Sequence, residues 1–282
     1  MFKHGDKIGI VCCSNGQKKT YAEKIKYLES TLTDMGLFPV FSDYIYETEN
    51  VFSGTAKERA DALMKFYQDE EIRGIFDISG GDAANGVLPY LDYDVIANSP
   101  KLFWGYSDLT TVINGVYAKT GKSSVLYQIR NLIYDCRERQ IVDFENTVME
   151  NRADLFQCDY RFLQGNSMRG VVIGGNIRCF LKLAGTQYMP DPKGKILLLE
   201  SYEGTPAKIE TYLCQLQQMG VFDKVAGIIL GTFTEMEREN CVPTVETLIK
   251  GKVRVDLSVA VTADIGHGTD SKAILIGQEL KI

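Results

Sequence analysis

The sequence predicts an α/β protein whose first half forms a parallel sheet and whose second half forms a further unit of mixed strands and helices. Short apolar segments alternate with amphipathic ones through residues 1–135, which is the pattern of βα units that build a parallel sheet. Residues 136–165 are polar and charge-rich and show no clear period, and strand-like segments resume after them. At 282 residues the chain can hold two domains. We therefore predict an N-terminal domain at 1–135, a linker at 136–165 and a C-terminal domain at 166–282.

Helix signals separate the predicted strands of the first half. Two S/T-x-x-E capping boxes, Thr20 with Glu23 and Thr55 with Glu58, mark helix starts, because their side chains satisfy free amide groups of the first turn. Gly36 ends the first of these helices. The five predicted strands are residues 7–12, 37–41, 74–78, 101–105 and 123–127.

The second half contains five more predicted strands and one strong helix. The helix starts at Pro206, because Thr205 can cap it and proline suits the first position, and it ends at Met219 before Gly220. Its apolar residues fall on one face, which indicates packing against a core. The predicted strands are residues 169–173, 195–199, 226–230, 258–261 and 273–276.

The composition argues against several classes of partner. A net charge of -6 without a basic block disfavours nucleic acid, whose phosphates require clustered Lys and Arg. The apolar stretch Ile8 to Cys13 is too short for a signal peptide or a membrane span, so we expect a cytoplasmic protein without membrane contact. Seven cysteines without a C-x-x-C pair and two histidines offer no zinc-ligand spacing. We expect neither a metal nor a cofactor.

The most informative segment is 102–110, an apolar strand that places Ser107 at the start of a helix. A serine hydroxyl becomes a nucleophile when a base takes its proton. His4 and His267 are the two histidines, and His4 lies in the first residues, where chains fray. If serine chemistry occurs, His267, which lies between two glycines, is the base. The alternative is a serine that only caps a helix.

Backbone amides near Ser107 can stabilise an oxyanion. The amide of Asp108 lies in the first helical turn, and the paired glycines Gly80 and Gly81 end another strand, where they can expose unpaired amide groups. A tight turn that needs glycine for a positive φ is the alternative for this pair. No metal ligand is needed in such a site.

A carboxylate is available to orient the histidine. Glu200 ends the apolar run 196–199, where a buried carboxylate needs a donor such as an imidazole N–H. Glu203 is the competing candidate, and a solvated strand end is the alternative for either. Ser107, Glu200 and His267 each lie near the end of a predicted strand, and a catalytic triad is defined by geometry rather than by spacing.

Several motifs together identify a family resemblance. The chain resembles the serine LD-carboxypeptidase family, which also contains the microcin C self-immunity peptidases, over nearly its whole length. The resemblance implies a flavodoxin-like parallel-sheet domain, a C-terminal mixed α/β domain with β-barrel-like character, an active site at their junction and a homodimer. The motifs are Gly80-Gly81, Leu88 to Asp94, Gly105-Tyr106-Ser107-Asp108, Gly174-Gly175-Asn176, Leu198-Leu199-Glu200 and Gly266-His267.

The resemblance also assigns roles to residues. It implies Ser107 as nucleophile, Glu200 as orienting acid and His267 as base. The oxyanion donors would be the amide of Asp108 and one amide of the Gly80-Gly81 turn, with the choice of glycine open.

The chain departs from the family pattern at three places that are expected to border the substrate. It has Cys12-Cys13-Ser14 where relatives often read Ala-Pro-Ser, and Ser201 where an acidic residue commonly follows the triad glutamate. The segment 127–130, Tyr-Gln-Ile-Arg, lacks an expected His-Gly-Pro. Cys12 and Cys13 are expected to be buried thiols, with a place in a pocket wall as the alternative.

The hypothesis from the sequence is a serine peptidase that cleaves the amide bond to the terminal D-alanine of a murein tetrapeptide. One alternative is a self-immunity-type peptidase that cleaves a peptidyl-nucleotide amide, for which Trp104 or Tyr106 would have to stack on a base instead of packing against the sheet. Another alternative is a non-catalytic muropeptide-binding protein. Arg130 and Lys272 are among several cations that could bind a substrate carboxylate, and nothing in the sequence ranks them.

Overall fold

In the computed structural model, which describes residues 1–48 and 50–282, the chain forms two α/β domains. The described residues build two sheets of six strands each. Every strand predicted from the sequence is present, with ends shifted by up to three residues. The strands are β1 Lys7–Val11, β2 Phe38–Phe41, β3 Ile72–Asp77, β4 Phe103–Gly105, β5 Ser124–Leu126, β6 Arg161–Gln164, β7 Arg169–Asn176, β8 Ile196–Ser201, β9 Gly227–Phe233, β10 Ser258–Val261, β11 Ile274–Ile276 and β12 Glu279–Lys281.

The first sheet has the order β11-β5-β4-β3-β1-β2. Its five N-terminal strands are parallel, and β11 adds to β5 in the antiparallel direction. The α/β class and the parallel sheet of the first half are therefore confirmed. Because the strands are parallel, their carboxyl ends meet at one edge, which is where open α/β sheets place ligands.

The second sheet has the order β12-β7-β8-β9-β10-β6 and curls as a half-barrel. Its four central strands are parallel, and β12 and β6 pair antiparallel with the two outer ones. The mixed character expected of the second half is confirmed. Strands β6 and β12 were not predicted from the sequence, because they are short and partly exposed.

Helices cover both sheets. The capping box of Thr55 with Glu58 is present at the start of α2, whereas the one predicted at Thr20 is wrong. Thr20 lies inside a 3₁₀ turn before α1, so its backbone is already helical and cannot act as an extended N-cap. The helices are α1 Ala22–Asp34, α2 Ala56–Gln68, α3 Tyr93–Asn98, α4 Thr110–Thr120, α5 Arg137–Val148, α6 Ile177–Leu181, α7 Pro206–Gln218, α8 Val221–Lys224, α9 Thr234–Arg238 and α10 Val245–Lys250.

Residues 136–165, predicted to be a linker, are ordered. Helix α5 packs Phe144 and Val148 into the core of the first domain, and β6 joins the second sheet. The two buried apolar residues are four positions apart, which is a helical spacing, but the charged residues of the exposed faces obscured it in the sequence.

The two domains are joined by buried polar contacts between α4 and β7. The side chain of Asn114 accepts from the amide of Gly174 and donates to the carbonyl of the same residue, each at 2.8 Å. The hydroxyl of Thr110 accepts from the amide of Asn176 at 3.1 Å. These contacts hold the start of α4, and with it the turn at Ser107, against the second domain.

Candidate active site

Ser107 lies on a sharp turn between β4 and α4. Its φ is 55°, in the left-handed region that a residue with a Cβ adopts at a cost of roughly 1 to 2 kcal/mol. The turn continues as a 3₁₀ turn over Ser107–Leu109, and the amide of Leu109 donates to the carbonyl of Tyr106 at 2.9 Å. Strain of this kind is common at functional sites, because the surrounding structure holds the residue in place.

The carboxylate of Asp108 fixes this turn from beneath. It is fully buried and accepts from the hydroxyl of Ser14 at 2.6 Å and from the amide of Ala84 at 2.8 Å. Nζ of Lys182, the C-cap residue of α6, contacts its other oxygen at 2.5 Å. Asp108 directly follows Ser107, and its side chain therefore ties this turn to three separate segments of the chain.

The Gly80-Gly81 turn faces Ser107. A Cβ placed on Gly80 would lie 3.9 Å from Oγ of Ser107, so this glycine keeps the backbone close to the hydroxyl. Gly81 has a φ of 116°, and a Cβ there would overlap the side chain of Asn15. Within the described part of the chain, the amides of Gly80, Gly81 and Asp108 donate to no acceptor. The positive φ of Gly81 fits the tight turn named as the alternative, and the three amides have no partner in the described structure.

The C-terminal domain brings Glu200 and His267 together. Nδ1 of His267 lies 2.7 Å from Oε2 of Glu200, whose side chain is fully buried at the end of β8. Nε2 of His267 is buried and has no hydrogen-bond partner among the described residues. This ring can therefore donate through Nδ1 and still accept a proton at Nε2.

The loop that carries His267 runs close to β9. The amide of Thr232 donates to the carbonyl of Ile265 at 2.8 Å, and a Cβ on Gly266 would overlap the side chain of Thr232. The glycine before the histidine is thus required by this close approach. The ring of His267 lies between two tyrosines, with ring centroids 4.6 Å away for Tyr106 and 5.0 Å away for Tyr202.

Tyr106 joins the two halves of the site. It precedes Ser107 in the chain, and its hydroxyl lies 3.1 Å from Nδ1 of His267. Burial and the negative charge of Glu200 raise the pKa of the Tyr106 hydroxyl well above its usual value, so it stays protonated. Ser107 and His267 form no direct hydrogen bond in the described structure. From the sequence, Tyr106 was expected to pack against the sheet, and its position beside the histidine was not predicted.

The other candidates from the sequence lie elsewhere. Glu203 is exposed, and its carbonyl accepts from the Ser201 hydroxyl. Trp104 is fully buried and stacks on Phe76 at 5.1 Å, so it is not available to a ligand. His4 lies before the first strand, beside Gly36, at the opposite edge of the sheet from Ser107.

Cys12 and Cys13 are buried, as expected. Burial raises the pKa of both thiols well above the ordinary range, and the carboxylate of Asp77 adds to the effect. Both residues follow the first strand, and the amide of Cys13 donates to Asp77 at 2.7 Å. They act as small core residues in this structure.

The described residues contain no group of three or more His, Cys, Asp or Glu side chains arranged to hold a metal ion. Among the same residues, no helix has the length and apolar character needed to cross a membrane.

Comparisons with known proteins extend over both domains. A family model described as the LD-carboxypeptidase N-terminal domain matches residues 8–127. A second, described as the LD-carboxypeptidase C-terminal domain, matches residues 169–282. The first range contains Ser107, and the second contains Glu200 and His267.

Individual relatives include a self-immunity protein and a carboxypeptidase. The microcin C7 self-immunity protein MccF of Escherichia coli is 29% identical over 262 residues, which cover 80% of this chain and 75% of that protein. The murein tetrapeptide carboxypeptidase of Pseudomonas aeruginosa is 24% identical over 261 residues, which cover 87% and 85%. A solved structure of MccF in complex with aspartyl sulfamoyl adenosine matches 100% of this chain and 94% of that chain, with a TM-score of 0.84 and 25% identity.

Proposed function

The chain belongs to the LD-carboxypeptidase family and is a peptidase, and on that premise we propose that it hydrolyses the amide bond to the terminal D-alanine of a murein tetrapeptide. The proposed machinery is Ser107 as nucleophile, His267 as base and Glu200 as orienting acid. The observation that carries this proposal is the 2.7 Å contact between Nδ1 of His267 and Glu200, which leaves Nε2 without a partner.

Acylation follows from the two ring nitrogens. Nε2 of His267 takes the hydroxyl proton as Oγ of Ser107 attacks the scissile carbonyl, and the positive ring is stabilised by Glu200 through Nδ1–H. The same proton then passes to the amide nitrogen as the C–N bond breaks, so that D-alanine leaves as a neutral amine. Water, activated by the neutral histidine, releases the acyl group from Ser107.

The negative oxygen of the tetrahedral intermediate would bind to free backbone amides. The amide of Asp108 and one amide of the Gly80-Gly81 turn are proposed as donors, and each such donor contributes on the order of 10² to 10³ in rate. The buried contacts of Asp108 support this assignment, because they hold the turn in one position before substrate arrives.

The relative named murein tetrapeptide carboxypeptidase supports this choice of substrate, and its alignment covers 87% of the chain. A cytoplasmic location, which is expected from the short apolar stretch Ile8 to Cys13, and a homodimer, which the family resemblance implies, remain part of the proposal.

A second candidate is the cleavage of an amide that joins a peptidyl or aminoacyl group to a nucleotide. It is favoured by the similarity to MccF and by Tyr202, whose side chain is 47% exposed beside His267 and could stack on a base. Trp104 and Tyr106 cannot serve as this shelf, because both are buried.

Mass spectrometry of tetrapeptide incubated with wild-type protein and with Ser107→Ala tests the proposal. We expect wild type to remove one alanine mass and the variant to remove none. An aminoacyl sulfamoyl adenosine, assayed in parallel, distinguishes the second candidate. Binding of the tetrapeptide without cleavage, together with no covalent labelling by a fluorophosphonate, would instead indicate a non-catalytic binding protein.

A further inference from the structure

A cavity of 340 Å³ lies against the Gly80-Gly81 turn, on the side of the first domain. It is lined by both glycines and by the half-buried side chain of Arg130. Lys18 adds a second positive charge to the wall, and Glu47 adds a negative one. The cavity therefore carries a net positive charge next to the amides that are proposed to hold the oxyanion.

Arg130 has no acidic partner among the described residues. Its Nε donates to the side-chain carbonyl of Gln128 at 3.2 Å, and its Nη1 donates to that of Gln17 at 3.3 Å. Both acceptors are neutral, and Nη2 donates to no described group. Glu47, in the same cavity, forms no ion pair with it. A half-buried guanidinium without a counter-ion is well suited to an anion that arrives with a ligand.

The position of Arg130 is coupled to the oxyanion turn. Gln17 is buried, and its Nε2 donates to the carbonyl of Ile78 at 2.8 Å, two residues before Gly80. The oxygen of the same Gln17 side chain holds Arg130. One buried amide thus ties the guanidinium to the strand end from which the Gly80-Gly81 turn begins, and this fixes the charge relative to the proposed reaction centre.

We propose that Arg130 binds the terminal carboxylate of the residue that is released. This inference rests on the proposed function. In an amide to a C-terminal amino acid, only the amide nitrogen and one Cα separate the scissile carbonyl from the terminal carboxylate. A group that binds this carboxylate must therefore lie beside the oxyanion turn, and Arg130 meets that requirement. Lys272, the other cation considered, does not line this cavity, and its Nζ already donates to the carbonyl of Gln157 at 2.5 Å.

The role of Arg130 is tested with two peptides, the tetrapeptide with a free C-terminal carboxylate and its C-terminal carboxamide. We expect Arg130→Gln to lower kcat/KM for the free acid about 10- to 100-fold, as expected for the loss of a charged hydrogen bond, and to change kcat/KM for the carboxamide less than about 3-fold. Arg130→Lys, which keeps the charge, should recover part of the loss. Arg139→Gln is the matched control, because Arg139 is exposed and pairs with Asp143 on α5.

Labelling by a fluorophosphonate shows whether the Arg130→Gln variant is folded with an intact reaction centre. This probe carries no terminal carboxylate, so its reaction does not depend on Arg130. Arg130→Gln should be labelled at the wild-type rate. Equal losses on both peptides, or none on either, would overturn the assignment of Arg130 and leave the proposed function standing. Failure of the wild type to release alanine from the free acid would overturn the proposed function and this assignment with it.

Discussion

The hydroxyl of Tyr106 lies 3.1 Å from Nδ1 of His267, the ring nitrogen that also contacts Glu200 at 2.7 Å. A nitrogen that donates its one hydrogen to Glu200 cannot donate to Tyr106 as well. Burial and Glu200 keep the hydroxyl protonated, so its hydrogen can be donated to the carboxylate of Glu200. Tyr106 connects the strand that leads to Ser107 with the histidine of the other domain.

We expect Tyr106→Phe to lower kcat roughly 5- to 30-fold, which corresponds to about 1 to 2 kcal/mol for a hydrogen bond to a charged group. The ring remains, so KM should change little. Steady-state kinetics on the tetrapeptide measure both constants. Tyr27→Phe, on the exposed surface of α1, is the matched control. A raised KM with unchanged kcat would show that the hydroxyl contacts substrate instead.

His267→Ala should lower kcat by roughly 10⁴ to 10⁶, and Glu200→Ala should cost less, because the third member of a triad often contributes less. His4→Ala should leave kcat unchanged, because His4 lies at the other edge of the first sheet. The double variant of Ser107 and His267 should be little slower than either single variant, since the two groups are proposed to act as one unit. Additive losses in the double variant would contradict a shared step.

Lys182→Met should lower the free energy of unfolding by about 3 kcal/mol, because it leaves the buried carboxylate of Asp108 without its charged partner. Lys57→Met removes an ion pair to Asp61 on the surface of α2, where both side chains are more than half exposed, and should cost less than about 1 kcal/mol. Urea denaturation of both variants gives the comparison. Equal losses would show that burial of Asp108 does not strengthen its dependence on Lys182.

Treatment of the native protein with iodoacetamide should leave its peptidase activity intact, because the thiols of Cys12 and Cys13 are buried. Burial raises the pKa of the Cys12 and Cys13 thiols, so at pH 8 the folded protein holds far less reactive thiolate at these positions than the unfolded chain does. Peptide mapping after treatment with iodoacetamide should find both thiols unmodified in the native protein and modified in urea. Loss of activity in step with labelling of Cys13 would place a thiol in the mechanism.

The sequence was most informative where local pattern and structure have the same cause. All ten strands predicted from the alternating apolar segments are present. The capping box at Thr55 and the helix start at Pro206 are present as well. Glu200 was likewise found from a local feature, because it is a carboxylate that ends a run of four apolar residues. That carboxylate is fully buried and has an imidazole beside it.

Contacts between segments that are far apart in the chain could not be predicted from local sequence patterns. Lys182 is the C-cap residue of the short helix α6, yet it pairs with Asp108, 74 positions away. The cavity beside Arg130 likewise needs β1, the Gly80-Gly81 turn and the segment after β5 to be brought together. The failed capping box at Thr20 has a local cause, since a 3₁₀ turn begins one residue earlier.

Strand β11 pairs with β5 in the first sheet, and β12 pairs with β7 in the second. Residues 274–281 therefore add one strand to each sheet in succession. The loop with His267 is therefore anchored on each side, by β10 in one domain and β11 in the other. A chimera that joins the N-terminal domain of this protein to the C-terminal domain of a relative therefore cannot be made with a single junction between the domains. Its front half needs residues 274–276 as well, so a functional graft has to carry this strand with the sheet it completes.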